Sequence, residues 1–597
     1  MVDLPQYIER LNKQQKDVVC YTGNVYLTAC PGSGKTRTLV SKLAYNYLNN
    51  KNSLKKMVAI TYTNRAADEM LERLVEMGIE LDSIWIGTIH SFCIEFILRP
   101  YSMYCPRLRK GYRIIDDYRK QNYIQVIADD LNITLNNNDR VNTEPSLDGE
   151  FDKHYKFTKI VKEYHKKLKE NKELDFFLIL FYAYKIINEN DILCQKLAAT
   201  FQSIYIDEFQ DTNNAQYNII SKIFKSNNSI EILFAGDVNQ AIYTSLGGMA
   251  KTQDEIESLF GCSFNPMSLN GCYRSTQEII NFYSHFAISG IQINSLKQSQ
   301  DNCIIHYNYS IGKEKICENI AVLIKSLLDD NIKLEDICIL SPQWWLIFPI
   351  AKKLKDMLPD IQFDAPEITP IKKNPLNIMY NISKLALTQP GNRSWYRKRV
   401  ARNIIEMLNE HYQISSEDIE EYKLLKLINS VDPALYASGV EYIKRCSNNL
   451  FSSLPINPLS NTNFSKDYED FFENIDSRVH NHKLDSSTSS LIKSFKEKDG
   501  IVINTIHGVK GEEYKVVICF GLLKGYLPHW NNIYGDRDYG SEVANKLLYV
   551  LLSRAKEQLY LISENNRTTS TGNLYIPTIE LTNIVFGHSN NFTIQLP

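Results

Sequence analysis

At 597 residues the chain exceeds what one hydrophobic core can hold, since single cores stop growing at roughly 250 to 300 residues, so several domains are expected. Hydrophobic residues at 44% and charged residues at 23% exclude collagen-like and disordered classes. A net charge of −2 excludes a uniformly basic nucleic-acid coat and leaves any phosphate binding to local patches.

The N-terminal residues lack a basic stretch leading into an apolar run, and no segment approaches the roughly 20 apolar residues needed to span a bilayer. A soluble, cytoplasmic protein with no membrane contact is therefore expected. Twelve cysteines lie between Cys20 and Cys519 without the close pairing of zinc or iron–sulfur ligands, which reads as reduced, mostly buried thiols.

Asn24–Thr28 reads as a buried strand, and from Arg37 apolar residues return at helical spacing. The segment between them, Ala29, Cys30, Pro31, Gly32, Ser33, Gly34, Lys35 and Thr36, is thus a strand-to-helix turn suited to a nucleotide's phosphates. Gly32 and Gly34 let the backbone approach phosphate oxygens, and the new helix turns its N–H groups and positive dipole end toward them. Lys35 adds a charge and Thr36 a magnesium ligand. Ala29 stands where the general pattern has its first glycine, so a glycine-rich turn without a ligand is the competing reading.

Met57–Ile60 is the next strand candidate. About 170 residues then separate the loop from the next chemical segment, far more than a structureless connection tolerates, so something is inserted. That stretch contains Lys153–Lys169, dense in lysine with tyrosines interleaved. The pattern suits phosphate contact with base stacking and equally suits a solvated helix face.

Ile204–Ile206 reads as a buried strand that delivers Asp207 and Glu208 at its end, the acidic half that a phosphate loop requires. Asp207 is placed to hold magnesium and Glu208 to polarise the attacking water. Further strand candidates are Ile232–Ala235, Ile501–Asn504 and Val516–Gly521. Arg393–Arg402 is a basic run that could touch duplex DNA or be an amphipathic helix with exposed arginines. Serine- and asparagine-rich stretches near 450–465 and 485–490 read as loops.

These segments, in this order, resemble the UvrD, Rep and PcrA group of superfamily 1 DNA helicases. The resemblance implies that Gln15, in Leu11–Gln15, contacts adenine. It implies that Tyr62, Thr63 and Asn64 in Val58–Ala67, and Thr88 and His90 in Gly87–Ser91, face DNA. Within Gly236–Tyr243 it makes Gln240 a sensor of the terminal phosphate and puts Tyr243 at the DNA. Within Leu269–Ser275 it makes Tyr273 the residue that stacks on adenine and sends Arg274 to the terminal phosphate. His507 is then near DNA, Glu513 near the nucleotide, and Arg554, in Leu547–Lys556, an arginine finger. The wording of Thr505–Trp530 also resembles the helicase component of two-gene anti-phage systems such as Gabija, which implies a partner nuclease of the ATP-binding, overcoming-lysogenisation type.

The implied fold class is α/β, with two RecA-like parallel-sheet motor domains, each carrying a mainly helical inserted accessory domain. The first motor domain would comprise 1–93 and 200–268, with 94–199 as its insertion. The second would comprise 269–385 and 496–597, with 386–495 as its insertion. ATP and Mg2+ would bind between the motors, and single-stranded DNA and its junctions with duplex would be drawn 3′ to 5′ across them.

The family pattern breaks after Tyr243, where Ser245 replaces an aromatic residue and Leu246 an arginine. That loss predicts DNA-stimulated ATP hydrolysis with modest strand separation. It also leaves open a second function, an ATPase that senses DNA ends or single strands and switches a nuclease with little unwinding. A metabolic kinase built on the same loop explains neither Arg274 nor Arg554.

Overall fold

The computed structural model describes residues 6–597 except 51–52, 136–138, 140, 152–154, 245–246, 298–302, 366–368, 389–393, 417–418, 483, 496–499, 534–536, 570, 588–593 and 596–597. Ser245 and Leu246, where the family pattern breaks, thus lie outside the described residues, as do Lys153, His154 and Arg393 of the two basic runs.

The first sheet is built from β1 (Val25–Ala29), β2 (Lys56–Thr61), β3 (Ile84–Thr88), β4 (Phe201–Asp207), β5 (Glu231–Gly236) and β6 (Asn265–Leu269), ordered β3-β2-β4-β5-β1-β6. Every pairing is parallel. Parallel strands need crossovers and are covered on both faces, which is why β2, β4 and β5 read as nearly continuous apolar runs. The expected strand at 24–28 occurs one residue later. The helix expected from Arg37 already begins at Lys35, because Gly34 at its N-cap turns into the left-handed region.

β5 lies between β1 and β4. The loop after β1 and the acids after β4 therefore emerge from the same sheet edge about 10 Å apart, close enough for a long side chain to span.

The chain divides into two compact units, 1–316 with 506–597, and 317–505. The first unit holds, besides the first sheet, the parallel strands β7 (Ile304–Asn308), β11 (Tyr514–Cys519), β12 (Ala555–Ile562) and β13 (Ile594–Gln595), adjoining as β11-β12-β7-β13. The second contains β8 (Ile337–Ser341), β9 (Phe363–Asp364) and β10 (Ile501–Thr505), also parallel, with β10 paired to both others. The candidate strand at 516–521 ends at Cys519, before Gly521 turns to positive φ.

Residues 94–199 are largely helical, and their apolar side chains join those of the first sheet in one continuous core. In the helix Thr158–Glu170 the tyrosine that base stacking would need on the surface turns inward. Tyr164 is fully buried and donates to Asp175 Oδ2 at 3.0 Å. Tyr155 accepts the Asn142 N–H at 2.8 Å.

In the second unit a separate helical core runs from Ile371 to Leu491 and includes the helix Ile378–Leu387, so this body begins before residue 386. Arg397, in the second basic run, is buried and donates to Thr388 and Asn429, a structural use rather than a surface one. Arg402 is exposed and paired with Glu421. All twelve cysteines are free thiols, nine of them buried. Among the described residues no cluster of metal-capable side chains of three or more occurs, and no helix is long and apolar enough to cross a membrane.

Candidate nucleotide site and the aromatic face beside it

The turn after β1 is shaped by two glycines in the left-handed region, Gly32 at φ +71° and Gly34 at φ +78°. A Cβ on Gly32 would lie 2.5 Å from Arg274 Cβ, and one on Gly34 would lie 2.7 Å from Gln15 Nε2. Both positions are therefore closed to side chains by conformation and by space. The Ser33 hydroxyl is buried without a hydrogen-bond partner. An orphaned donor inside a backbone cradle at a helix start is the arrangement that phosphate oxygens satisfy. Ala29, Cys30 and Pro31 are buried beneath the turn, Thr36 is half-buried in the first helical turn, and Arg37 is exposed.

Lys35 reaches across to the end of β4, with Nζ 3.1 Å from Asp207 Oδ1 and 2.5 Å from Glu208 Oε1. Burial disfavours its charge, but the two carboxylates outweigh that and hold the ammonium above its ordinary range. Burial likewise pushes Glu208 upward, yet Lys35 and then Lys510 bring it down to about 2. Asp207 moves up, because burial outweighs its longer contact with Lys35. Glu208 sits at φ 55°, ψ 46°, a left-handed conformation that costs a side-chain-bearing residue about 1 to 2 kcal/mol. Gln210 fixes this corner by donating to Glu208 and accepting the Asp237 N–H at 3.1 Å.

Gln15 is buried at the N-terminal end of the helix Lys13–Cys20, held by a capping box with Asn12. Its Nε2 donates to the Ser33 carbonyl at 2.9 Å, and Asn12 Nδ2 donates to the Tyr273 hydroxyl at 2.9 Å. Tyr273 is 44% exposed, which leaves its ring face free to stack, and its N–H donates to the Gly32 carbonyl at 2.9 Å. Arg274 donates from Nε to Glu513 Oε2 at 2.8 Å and from Nη1 to the Ser553 carbonyl at 2.9 Å. Burial would raise Glu513, but Arg274 and Lys556 lower it to about 2.

Arg554 is buried, with Nε on the Val550 carbonyl at 3.0 Å, Nη1 on the Glu512 carbonyl at 3.2 Å and Nη2 on Gln240 Oε1 at 3.0 Å. Burial, then Arg274, lowers its guanidinium to about 9.

Two residues the motif reading passed over close the network. Lys510 Nζ lies 2.5 Å from Asp211 Oδ2, donates to the Gln240 carbonyl at 2.7 Å and sits 5.0 Å from the centre of the Tyr243 ring. Lys510 falls between His507 and Glu513 and Asp211 three residues past Glu208. The signal was present in both motifs, but the pairing joins positions 299 apart in sequence.

Beside this network Tyr62, 41% exposed, stacks on Tyr243 with ring centres 4.7 Å apart and planes at 24°. The Tyr243 hydroxyl donates to the His507 carbonyl at 3.1 Å, and the two rings lie 5.7 Å apart. Thr63 caps the helix Asn64–Glu76, which Asn64 opens. Thr88 caps the helix that carries His90. The His90 ring packs edge-on against Phe176, 5.1 Å away, and burial lowers it to about 4, so it is neutral at physiological pH. Tyr62, Tyr243 and His507 thus form one surface, whereas His90 faces the first insertion.

The sequence matches the model of the UvrD/REP helicase N-terminal domain over residues 11–260 and that of the UvrD-like helicase C-terminal domain over 398–566, together more than two thirds of the chain. The chain belongs to the UvrD-like helicase family. As a member it is an ATP-dependent DNA helicase. It is similar to the ATP-dependent DNA helicase PcrA of Staphylococcus aureus strain NCTC 8325, at 23% identity over 625 aligned positions covering 94% of this chain and 84% of the relative. The PcrA of Staphylococcus epidermidis strain ATCC 12228 is 24% identical over 624 positions, with the same coverage. The two matching family models place the turn after β1 and the acids after β4 in one N-terminal helicase module, and Arg554 in the C-terminal one.

Proposed function

We propose that this UvrD-like helicase hydrolyses ATP at the turn Ala29–Thr36 and uses the cycle to move 3′ to 5′ along single-stranded DNA held at Tyr62, Tyr243 and His507. The observation that carries this reading is the continuous contact from the acids of β4 to the aromatic face. Lys510 touches Asp211, the Gln240 carbonyl and the Tyr243 ring together, and Gln240 in turn receives Arg554.

The donors present suit a magnesium nucleotide. Thr36 and Asp207 offer hard oxygen ligands, and a magnesium ion typically takes only one or two carboxylates, the rest of its shell being water and phosphate oxygens. When bound, the ion neutralises charge on the phosphates. Glu208 is the group that orients and deprotonates the attacking water. Lys35, Gln240, Arg274 and Arg554 stabilise charge on the phosphoryl oxygens. Gln15 and Tyr273 hold the base, and Glu513 positions Arg274.

Hydrolysis would release Lys35, Arg274 and Arg554 from the phosphates, and Lys510 would relay the change in Asp211 and Gln240 to Tyr243. ATPase rate against the length of single-stranded DNA tests this: a translocase rises with length, whereas an end sensor saturates on short oligonucleotides. Streptavidin displacement from the 5′ but not the 3′ end would establish polarity. In the same assay Lys35→Ala should lose DNA-stimulated hydrolysis, and full retention would refute the assignment of the site.

The narrower reading, service beside a nuclease in anti-phage defence, is supported by the resemblance of Thr505–Trp530. Co-purification with the product of a neighbouring nuclease gene, and loss of phage resistance in Glu208→Gln, would test it.

A further inference from the structure

Lys42 is a fully buried cation to which the phosphate chemistry gives no task. It lies on the helix Lys35–Asn49, about two turns beyond Lys35. Its Nζ donates to the Tyr21 carbonyl at 2.6 Å and to the Val18 carbonyl at 3.4 Å, and it pairs with Glu231 Oε1 at 3.0 Å. Glu231 opens β5, and its other oxygen accepts from Asn46 Nδ2 at 3.3 Å.

Both carbonyls belong to the C-terminal end of the helix Lys13–Cys20, which Tyr21 caps. The final carbonyls of a helix have no partner within it and form the negative end of its dipole. A buried ammonium answers both needs. An apolar residue of similar length would leave these carbonyls without that donor and Glu231 without its counter-charge.

The N-terminal end of the same short helix carries Gln15. Its Nε2 donates to the Ser33 carbonyl at 2.9 Å and lies 2.7 Å from where a Cβ on Gly34 would sit, so the amide fills its slot without spare room. The apolar cluster that joins this helix to Tyr45 is small, comprising Ile8, Leu11 and Val19. Polar bonds at the two ends therefore weigh heavily in setting where the helix lies.

We propose that Lys42 is a positioning residue for base selection: it pins the C-terminal end of the helix Lys13–Cys20 to the helix that begins at Lys35, and so holds Gln15 in register with the phosphate turn. The proposal rests on the reading of Gln15 as the residue that contacts the base. Without the pin the helix is free to tilt, and a hydrogen bond to the base edge is lost once donor and acceptor separate by roughly half an ångström more. Lys35, Glu208 and Arg554 are carried by other elements, so turnover at saturating nucleotide is spared.

The test is steady-state hydrolysis on saturating single-stranded DNA with ATP and with inosine triphosphate, which keeps the ribose and phosphates but has a carbonyl oxygen in place of adenine's exocyclic amine. Lys42→Met should narrow the preference for ATP in kcat/KM by roughly tenfold, about the contribution of one hydrogen bond, through KM for ATP with kcat kept. Glu231→Gln removes the counter-charge but leaves both carbonyl bonds, and should retain the preference. Should Lys42→Met fail to fold, the double variant Lys42→Met, Glu231→Gln, which leaves no unpaired charge, carries the same expectation.

A folded variant without Lys42 that keeps the wild-type preference would overturn the proposal. An equal narrowing in Glu231→Gln would also overturn it, since the loss would then follow from the ion pair and not from the pinned helix. Gln15→Ala in the same assay separates the two readings. If it leaves the preference intact, the base reading fails and this proposal with it; if it abolishes the preference while Lys42→Met does not, the pin alone is refuted.

Discussion

Arg554 donates from Nη2 to Gln240 Oε1 at 3.0 Å, so the buried arginine of the C-terminal helicase module ends on the short helical turn Val238–Gln240 that follows β5 of the first sheet. The remaining nitrogens of the guanidinium are committed to main-chain carbonyls, which fixes the plane of the fork. Arg554→Ala should lower kcat for ATP by about a thousandfold or more, the range for removal of an arginine finger. Arg554→Lys should not rescue it, because an ammonium cannot reach Val550, Glu512 and Gln240 at once. A lysine variant within tenfold of wild type in steady-state ATPase would show that the fork geometry is unimportant.

Gly32→Ala meets Arg274 Cβ at 2.5 Å from a backbone held at φ +71°. The clash is with a β-carbon, which cannot swing away, so the turn or the Arg274 segment must shift by a large fraction of an ångström. A misplacement on that scale costs about a hundredfold in rate. The variant should remain folded by circular dichroism while its ATPase falls by that order. Normal turnover would mean that the two segments separate freely.

Asp211 supplies a pH dependence. Burial raises its carboxyl, against the pull of Lys510, to about 6. Below that pH the acid takes a proton and its bond to Lys510 loses the ionic component, so DNA-stimulated ATPase should fall as pH drops through about 6. Basal ATPase should change less. The sign for stability is opposite to that of an ordinary ion-paired acid. A folded-state value above the unfolded one means that stability from this group declines as pH rises through the interval from the ordinary carboxylate value to about 6. Asp211→Asn should remove the acidic limb of the stimulated rate, and a limb that persists unchanged in the variant belongs to another group.

The Tyr62–Tyr243 stack gives a prediction for DNA alone. Base stacking on an aromatic side chain is worth about 1 to 3 kcal/mol. Tyr243→Ala should therefore weaken single-stranded DNA binding by roughly 5- to 150-fold while sparing ATP affinity in the absence of DNA. Equilibrium binding by anisotropy measures the first and nucleotide titration the second. Equal losses in both would make Tyr243 a structural residue.

Much of the first sheet could be read from its apolar runs, because parallel strands buried on both faces leave continuous Val, Ile and Leu in the sequence, and the turn Ala29–Thr36 could be read from its glycines. Other features depend on partners that only the fold supplies. Tyr164 looks like a base-stacking residue until Asp175 is brought beside its hydroxyl. Arg397 looks like a surface cation until Thr388 and Asn429 close on it. The apolar helix Ile378–Leu387 would cover a sheet as readily as it enters a helical core, and its neighbours assign it to the latter. Lys510 was within a motif, but its role comes from Asp211, 299 positions away.

The bond from the Tyr273 N–H to the Gly32 carbonyl, 2.9 Å long, joins the turn after β1 to the segment after β6 through main chain alone. No ordinary side-chain replacement removes a peptide donor, and only proline deletes it. A genetic screen could therefore test the side chains at this junction but, short of proline at 273, not the bond itself. Alanine scanning would likewise leave this bond in place, and the losses it records at Gly32 and Tyr273 would be those of a steric clash and of a missing ring.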